Sequence, residues 1–528
     1  MKFLYNYFTN PFTKYPSFLI TIFLLITISG IYLHTLVYTA YSYAVYLFLH
    51  GFLIAYTITF ILSLIPLLKI RQFIKTVIII FLSAFFIPDF YCVQQLHTVF
   101  DADFATLLLA TDTNEALEFM QSMVPLSFIL LISLIFCSLG LLAYTVNKCL
   151  QLNHILASIP LFFVFLSVIA FIHNPLVWKN SIEGKIAAIL TYDIPNDLKD
   201  YYIHPALQSI NTPPHNIVVI MGESLTKHHC SIYGYEKSTN PLLTKYLTDS
   251  SLFVFKDVTS AGLTTMGSFT YMMSEFSPKL NNNEKKWYEY ITINDVLKQA
   301  NYQSHWFSNH SNVGVNNNVT RLLATACDDY HFCGNQLAGD FRTSYDEDVI
   351  KLAKPVIEKH KQQDYHYYFF HLMGSHFKFD YRYPKEFSLF SEKDYLDYPE
   401  HQRSTLASYD NSVLYNDSIV YEIMSLFKDK EAIVLYLSDH GLDLFYSSDN
   451  YAAHGIHGNP ISTKYGSEIP LLIFTSNKYK ELFPNTMKRI KESLNKEFRT
   501  DNLMYFIMDL MGVKFTNNND VKQYSPLN

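Results

Sequence analysis

Asn216-Ile-Val-Val-Ile-Met-Gly-Glu223 sets the fold of the C-terminal half. It is a short, unbroken apolar run that ends in a carboxylate. A run without polar alternation suits a strand buried on both faces, as in a parallel sheet. Three further runs follow the same pattern. Ala432-Ile-Val-Leu-Tyr-Leu ends in Ser438-Asp439-His440, Tyr365-His-Tyr-Tyr-Phe-Phe ends in His371, and Ile469-Pro-Leu-Leu-Ile-Phe is the fourth. Helical segments fall between them around 293–300, 346–361 and 408–428. The alternation predicts an α/β domain with a mostly parallel central sheet and helices on both faces. Ligands of open α/β sheets bind beyond the carboxyl ends of the strands. Glu223, Asp439, His440 and the segment from His371 to His376 are therefore expected at one rim.

The N-terminal half is of another kind. Apolar stretches at about 17–39, 43–68, 73–95, 125–148 and 154–172 each approach the ~20 residues that cross a hydrocarbon core. These predict an α-helical transmembrane domain of about five helices over 1–175, a linker over 176–214 rich in proline, and the α/β domain over 215–528. A cleaved signal would account for the first stretch only. Lys2 and Lys14 precede the first span, Lys69, Arg71 and Lys75 lie between the second and third, and Lys148 lies between the fourth and fifth. The 96–124 loop has no Lys or Arg but carries Asp101, Asp103, Asp112, Glu115 and Glu118. The positive-inside rule then places the N-terminus in the cytoplasm and the α/β domain outside. Two short amphipathic helices are expected within 96–124, at Phe104-Ala-Thr-Leu-Leu-Leu-Ala and Glu115-Ala-Leu-Glu-Phe-Met.

Composition agrees with this division. In 528 residues, 49% are hydrophobic and only 16% charged, as a membrane portion requires. A net charge of −7 gives no basic face for nucleic acid. Of the 6 cysteines, Cys327 and Cys333 bracket a short polar loop. In an oxidising compartment that spacing predicts a disulfide.

The strand-end residues make a chemical set. Asp439, His440 and Glu223 offer two carboxylates and an imidazole, and His376, His454 and His457 add further imidazoles. Mixed nitrogen and oxygen donors suit zinc, one or two ions, better than manganese. Singly, such residues more often cap helices or fill a core, and their convergence is what points to a metal. Ser260-Ala-Gly-Leu-Thr-Thr-Met-Gly-Ser supplies candidate nucleophiles at a helix start, where an anion gains from backbone N–H groups. The competing reading makes Thr264, Thr265 and Ser268 N-caps.

Taken in order, Gly222-Glu-Ser, Tyr233-Gly-Tyr, Thr239-Asn-Pro, Ser260-Ala-Gly-Leu-Thr-Thr, His371-Leu-Met-Gly-Ser-His, Ser438-Asp-His-Gly and His457-Gly-Asn-Pro resemble the phosphoethanolamine transferases. These are membrane members of the alkaline phosphatase and sulfatase superfamily. Ala110-Thr-Asp-Thr-Asn-Glu-Ala-Leu-Glu and Tyr409-Asp-Asn-Ser-Val-Leu-Tyr-Asn-Asp extend the resemblance over most of the chain. It implies phosphatidylethanolamine as donor, a lipopolysaccharide acceptor (lipid A or a core sugar), and an inner-membrane enzyme with a periplasmic catalytic domain. It also implies Thr265 as the nucleophile, carrying the phosphoethanolamine covalently. Glu223, Thr265, Asp439 and His440 match the tight zinc site, and His376 matches a substrate-phosphate or second-metal residue. His371, Asn309 and His457 would bind substrate, and His454 competes with His457 as a metal ligand. Two departures stand out. Ala261 replaces a cysteine common in lipid A-modifying members, and Leu442 replaces the Glu after Asp-His-Gly. Both bring the chain nearer to members acting on core sugars. Alternative readings are a glycerol-phosphate transferase similar to lipoteichoic acid synthases and an inactive membrane scaffold. A sulfatase is disfavoured, because Cys230 in His229-Cys-Ser-Ile-Tyr-Gly lacks the expected surroundings.

Overall fold

A computed structural model describes residues 2–36, 41–96, 120, 124–149, 158–173, 197–276, 285–310, 319–333, 344–361, 363–447, 460–516 and 524–527. The chain separates into two compact units, the first extending to Asp193 and the second running from Ile194 to Asn528. The loop expected to carry amphipathic helices lies almost wholly outside the described residues, as do His454 and His457.

The described elements of the first unit are helices: α1 (Lys2–Lys14), α2 (Pro16–Leu36), α3 (Tyr41–Ser63), α4 (Leu68–Leu96), α5 (Leu126–Cys149) and α6 (Ser158–His173). The five apolar stretches become α2 to α6. Among the described residues, Val45–Ser63, Leu68–Cys92 and Leu126–Lys148 are long and apolar enough to span a membrane, and Pro16–Thr27 and Ile159–Val168 are shorter apolar helices. Leu126, Leu134 and Leu141 of α5 are each more than 60% exposed, as leucines of a helix in hydrocarbon would be. α2 and α3 approach closely at Gly51, where a Cβ would lie 2.2 Å from the Thr27 Cγ2. Small residues permit this kind of helix contact in lipid. The helix α1 was not anticipated. It lies against α3, where Tyr56 donates to the Phe8 carbonyl at 3.0 Å and Phe12 stacks on Tyr56.

Among the described residues the second unit holds eleven strands in chain order: β1 (Leu207–Ser209), β2 (Asn216–Gly222), β3 (Leu252–Phe255), β4 (Asp257–Thr259), β5 (Gln303–Ser308), β6 (Asp329–Phe332), β7 (His366–His371), β8 (Ala432–Ser438), β9 (Leu471–Thr475), β10 (Glu497–Arg499) and β11 (Val513–Phe515). Seven form the central sheet in the order β3-β9-β8-β2-β7-β5-β6. Five of these, β8, β2, β7, β5 and β6, run parallel to one another. Along β2, Ile217, Val219 and Met221 enter one core while Val218 and Ile220 enter the other. Both faces are covered, which explains the unbroken apolar run.

The sheet is mostly parallel, as expected, and β9 is the exception. β9 is antiparallel to both β8 and β3. The connection from β8 leaves and re-enters at the same rim, where the Gly441 N–H donates to the Gly466 carbonyl at 2.7 Å. A chain that returns without a crossover must pair antiparallel. The Cys327–Cys333 disulfide is also absent: both thiols are free. The extended strand β6 lies between them, and Cys327 packs in one core while Cys333 packs against the other. Six residues of near-extended chain span roughly 20 Å, far beyond disulfide reach.

Candidate metal centre and active site

The rim is built from strand ends. β2 delivers Glu223 and β8 delivers Asp439 and His440, and the register aligns Gly222 with Ser438. All three side chains are fully or almost fully buried, and one donor atom from each lies within 4.8 Å of the others. The His440 Nε2 is 3.2 Å from the Glu223 Oε1 and 3.5 Å from the Asp439 Oδ2. The His440 Nδ1 donates to the Gly441 carbonyl at 2.8 Å. That bond fixes the tautomer and leaves the Nε2 lone pair aimed at the carboxylates, the arrangement of a metal-ligating histidine. The Asp439 Oδ1 accepts from the backbone N–H of Ser224 (3.1 Å) and of His440 (2.7 Å), whereas its Oδ2 has no hydrogen-bond partner among the described residues.

Two buried carboxylates and an imidazole this close perturb one another. Burial opposes ionisation of Glu223, but the imidazoles of His440, His376 and His310 hold it well below the usual carboxylate range. Burial and the Glu223 charge push Asp439 up. Burial works against the charge on His440, yet Asp439 and Glu223 raise it. The cluster therefore calls for positive charge at its centre. A divalent ion meets that demand, and the donor set of two carboxylates and one imidazole fits zinc.

Thr265 opens the helix Thr265–Met272. Its Oγ1 donates toward Glu223, 3.1 Å from the Oε2 and 3.3 Å from the Oε1. The N-cap is Thr264, whose side chain accepts from the Gly267 N–H at 3.3 Å. The capping reading thus belongs to Thr264, and the half-buried Thr265 hydroxyl is left for the cluster. Ser260 hydrogen-bonds the Asp439 carbonyl and lies 3.2 Å from the Ser268 Oγ, tying this loop to the end of β8.

A second donor group shares Glu223. It contains Glu223, His310 and His371, all buried, with one atom from each within 4.8 Å of the others. The rings of His310 and His371 stack 3.9 Å apart at 3°. The His310 Nε2 meets the Leu372 carbonyl at 3.0 Å and the His371 Nδ1 meets the Ser308 Oγ at 3.3 Å. Burial and His310 keep His371 neutral. His376 sits on the loop after β7, its ring 6.5 Å from that of His310.

Asn309 was expected to bind substrate. Its amide donates to the Ser344 carbonyl (3.0 Å) and to the Asp346 Oδ1 (2.8 Å), and its oxygen accepts from Ser344. The side chain is thereby committed to the framework. Asp346 goes on to accept from the backbone N–H groups of Met373 (2.8 Å) and Gly374 (2.9 Å), holding the loop that carries His376. His310 and Asp346 were missed at the sequence level. His310 follows Asn309 directly at a strand end, which was the available signal; Asp346 opens a helix and gave none. Leu442 is fully buried in the core below the rim.

Residues 215–513 match the family model described as Sulfatase. The chain belongs to that family. It is 27% identical over 311 residues to the phosphoethanolamine transferase EptC of Escherichia coli O18:K1:H7, an alignment covering 57% of this chain and 52% of that one. This sulfatase-family chain thus spans about half the length of that curated relative. The integral membrane lipooligosaccharide phosphoethanolamine transferase A of Neisseria meningitidis matches it with a TM-score of 0.63 over 96% of both chains, at 16% identity. The C-terminal periplasmic domain of EcEptC from Escherichia coli, solved in complex with Zn, matches with a TM-score of 0.53 over 61% of this chain and 89% of that one, at 23% identity. The fold is therefore a helical membrane domain followed by an alkaline phosphatase-like domain, and the resemblance read from the motifs holds.

Proposed function

We propose that this chain transfers phosphoethanolamine from phosphatidylethanolamine to a lipopolysaccharide acceptor through a phospho-threonine intermediate. The observation that carries the reading is the Thr265 hydroxyl, 3.1 Å from Glu223 at the mouth of the buried Glu223, Asp439 and His440 group. The names of the relatives, phosphoethanolamine transferases and a Kdo(2)-lipid A phosphoethanolamine 7''-transferase, support the same donor group and acceptor class.

Glu223, Asp439, His440 and the Thr265 Oγ1 would hold zinc. When bound, zinc supplies positive charge that favours the alkoxide form of a coordinated hydroxyl and neutralises phosphate oxygens. Glu223 accepts the hydrogen of the Thr265 Oγ1, orienting its lone pairs outward. The Oγ1 attacks phosphorus, the bond from phosphorus to the diacylglycerol oxygen breaks, the hydroxyl proton passes to that leaving oxygen, and phosphoethanolamine rests on Thr265. An acceptor hydroxyl then attacks the phosphorus, the bond to the Thr265 Oγ1 breaks, and the acceptor's proton returns to the Oγ1. The backbone N–H groups opening the helix Thr265–Met272 face the phosphoryl oxygens. His376 meets the substrate phosphate or a second ion, with His310 and His371 behind it. His454 and His457 complete the set as competing candidates.

The basic residues before α2, between α3 and α4 and after α5 support a cytoplasmic N-terminus and a catalytic domain on the outer side of the inner membrane. There the donor headgroup and the acceptor are both within reach. The test is diacylglycerol release from phosphatidylethanolamine by the full chain in detergent. Release that requires zinc and Thr265 is expected. Release from phosphatidylglycerol alone would replace this reading with glycerol-phosphate transfer, and zinc binding without release from either lipid would leave a scaffold.

A further inference from the structure

Three more histidines meet at the opposite end of the sheet. His305 is the third residue of β5, His366 the first of β7, and His360 follows the helix Glu347–Lys359. His305 and His366 fall on the sheet face that also carries Phe307, Tyr368 and Phe370, because alternate residues share a face. The same helix covers that face with Val349, Ile350, Ala353 and Ile357, and its end brings His360 over the strands. His366 and His371 bound one strand, so this cluster lies roughly 17 Å from the rim.

One donor atom from each of the three imidazoles lies within 4.8 Å of the others. The His305 Nε2 is 3.2 Å from the His366 Nδ1. Two nitrogens bound to one tetrahedral zinc stand about 3.3 Å apart, given bonds of about 2.0–2.1 Å. The outer nitrogens of His305 and His360 face groups of the kind that orient metal ligands, His360 through a hydrogen bond and His305 at ion-pair distance only. The His305 Nδ1 lies 3.5 Å from the Asp329 Oδ2, and the His360 Nδ1 lies 2.7 Å from the Tyr368 hydroxyl. His366 is 1% exposed, and its Nε2 has no hydrogen-bond partner among the described residues. Burial, together with the neighbouring imidazoles, pushes His305 and His366 down to about 4, and burial lowers His360 too. All three are therefore neutral imidazoles at neutral pH, the form that ligates a metal. Three phenylalanines would fill this space without desolvating any ring nitrogen. His360 also lines a cavity of about 270 Å³ with His215, Lys361, Lys430, Glu431 and Lys478. The lysines there oppose a cation, whereas Asp329, 3.5 Å from the His305 Nδ1, favours one at the histidines.

We propose that His305, His360 and His366, backed by Asp329, form a second divalent transition-metal site, zinc by ligand type. It would tie β5, β6 and β7 to the helix above them. The site stands independently of the reaction at the rim. The test uses the full chain in detergent, stripped with a chelator and re-equilibrated with zinc, with zinc per chain measured by plasma mass spectrometry. His360→Gln is expected to bind one zinc fewer than the parent. The same difference of one is expected in a Glu223→Gln/Asp439→Asn background, where the rim is disabled. Equal zinc with and without His360→Gln in both backgrounds would overturn the proposal. A second measurement does not depend on His360→Gln folding: in the Glu223→Gln/Asp439→Asn chain, zinc should raise the unfolding midpoint above that in chelator. An unchanged midpoint would overturn the proposal as well.

Discussion

Thr264 and Thr265 are adjacent hydroxyls with separate duties. Thr264 caps a helix and Thr265 faces Glu223. Thr264→Ala should cost about 1 kcal/mol of stability, the usual value of a lost cap. Thr265→Ala should leave the unfolding midpoint nearly unchanged while abolishing turnover, and Thr265→Ser should retain some. Comparing thermal unfolding with donor cleavage for the three variants checks this, and a reversed pattern would exchange the two roles. Gly374 has φ +51, and a Cβ there would stand 2.7 Å from the Glu223 backbone nitrogen. Gly374→Ala should therefore destabilise by roughly 1–3 kcal/mol and weaken zinc binding at the rim, as unfolding and zinc titration would reveal. Glu223, Asp439 and His440 were legible because apolar runs stop abruptly at them. The framework role of Asn309 was not legible, since sequence could not show that Asp346 and Ser344 occupy its amide. His310 was overlooked because its importance lies in stacking on His371, a contact 61 residues away along the chain.

Elements carry their own tests. The close approach of α2 and α3 rests on Gly51, whereas Gly140 in α5 has open space where its Cβ would be. Gly51→Leu should lower the unfolding midpoint in detergent by several degrees and Gly140→Leu should not; equal effects would remove the packing explanation. In the second unit the helix Leu243–Thr248 is anchored by Asp417, which accepts from the backbone N–H groups of Leu242 (2.8 Å) and Leu243 (3.1 Å). Burial pushes Asp417 up to about 7 from 3.8, against those two bonds. The folded chain thus keeps a proton that the unfolded chain loses. The contribution is full below the unfolded value and declines as pH rises from about 4 to about 7. Asp417→Asn should consequently be less destabilising at pH 8 than at pH 5, measured by unfolding midpoints; a pH-independent effect would contradict the assignment. Strand identity could be read from uninterrupted apolar runs, but the direction of β9 could not. An apolar run looks the same whichever way it pairs, and only the return of the chain at the rim fixes it. The helix α1 escaped notice because Asn6, Asn10 and Pro11 interrupt its apolar pattern.

Across the whole molecule, the sequence divides along hydropathy into a helical membrane unit and an α/β unit, and each is built as its composition requires. The expected disulfide failed for a reason of scale: a strand lies between the two cysteines. What the two units do together is the central claim, a covalent relay from a membrane lipid to an envelope glycan through Thr265. Intact-mass spectrometry of the full chain with zinc and phosphatidylethanolamine, in the absence of acceptor, tests it most directly. A mass gain the size of phosphoethanolamine on the parent, lost in Thr265→Ala and when zinc is removed, is the predicted result. A gain that persists in Thr265→Ala, or no gain in a folded, zinc-loaded parent, would contradict the account.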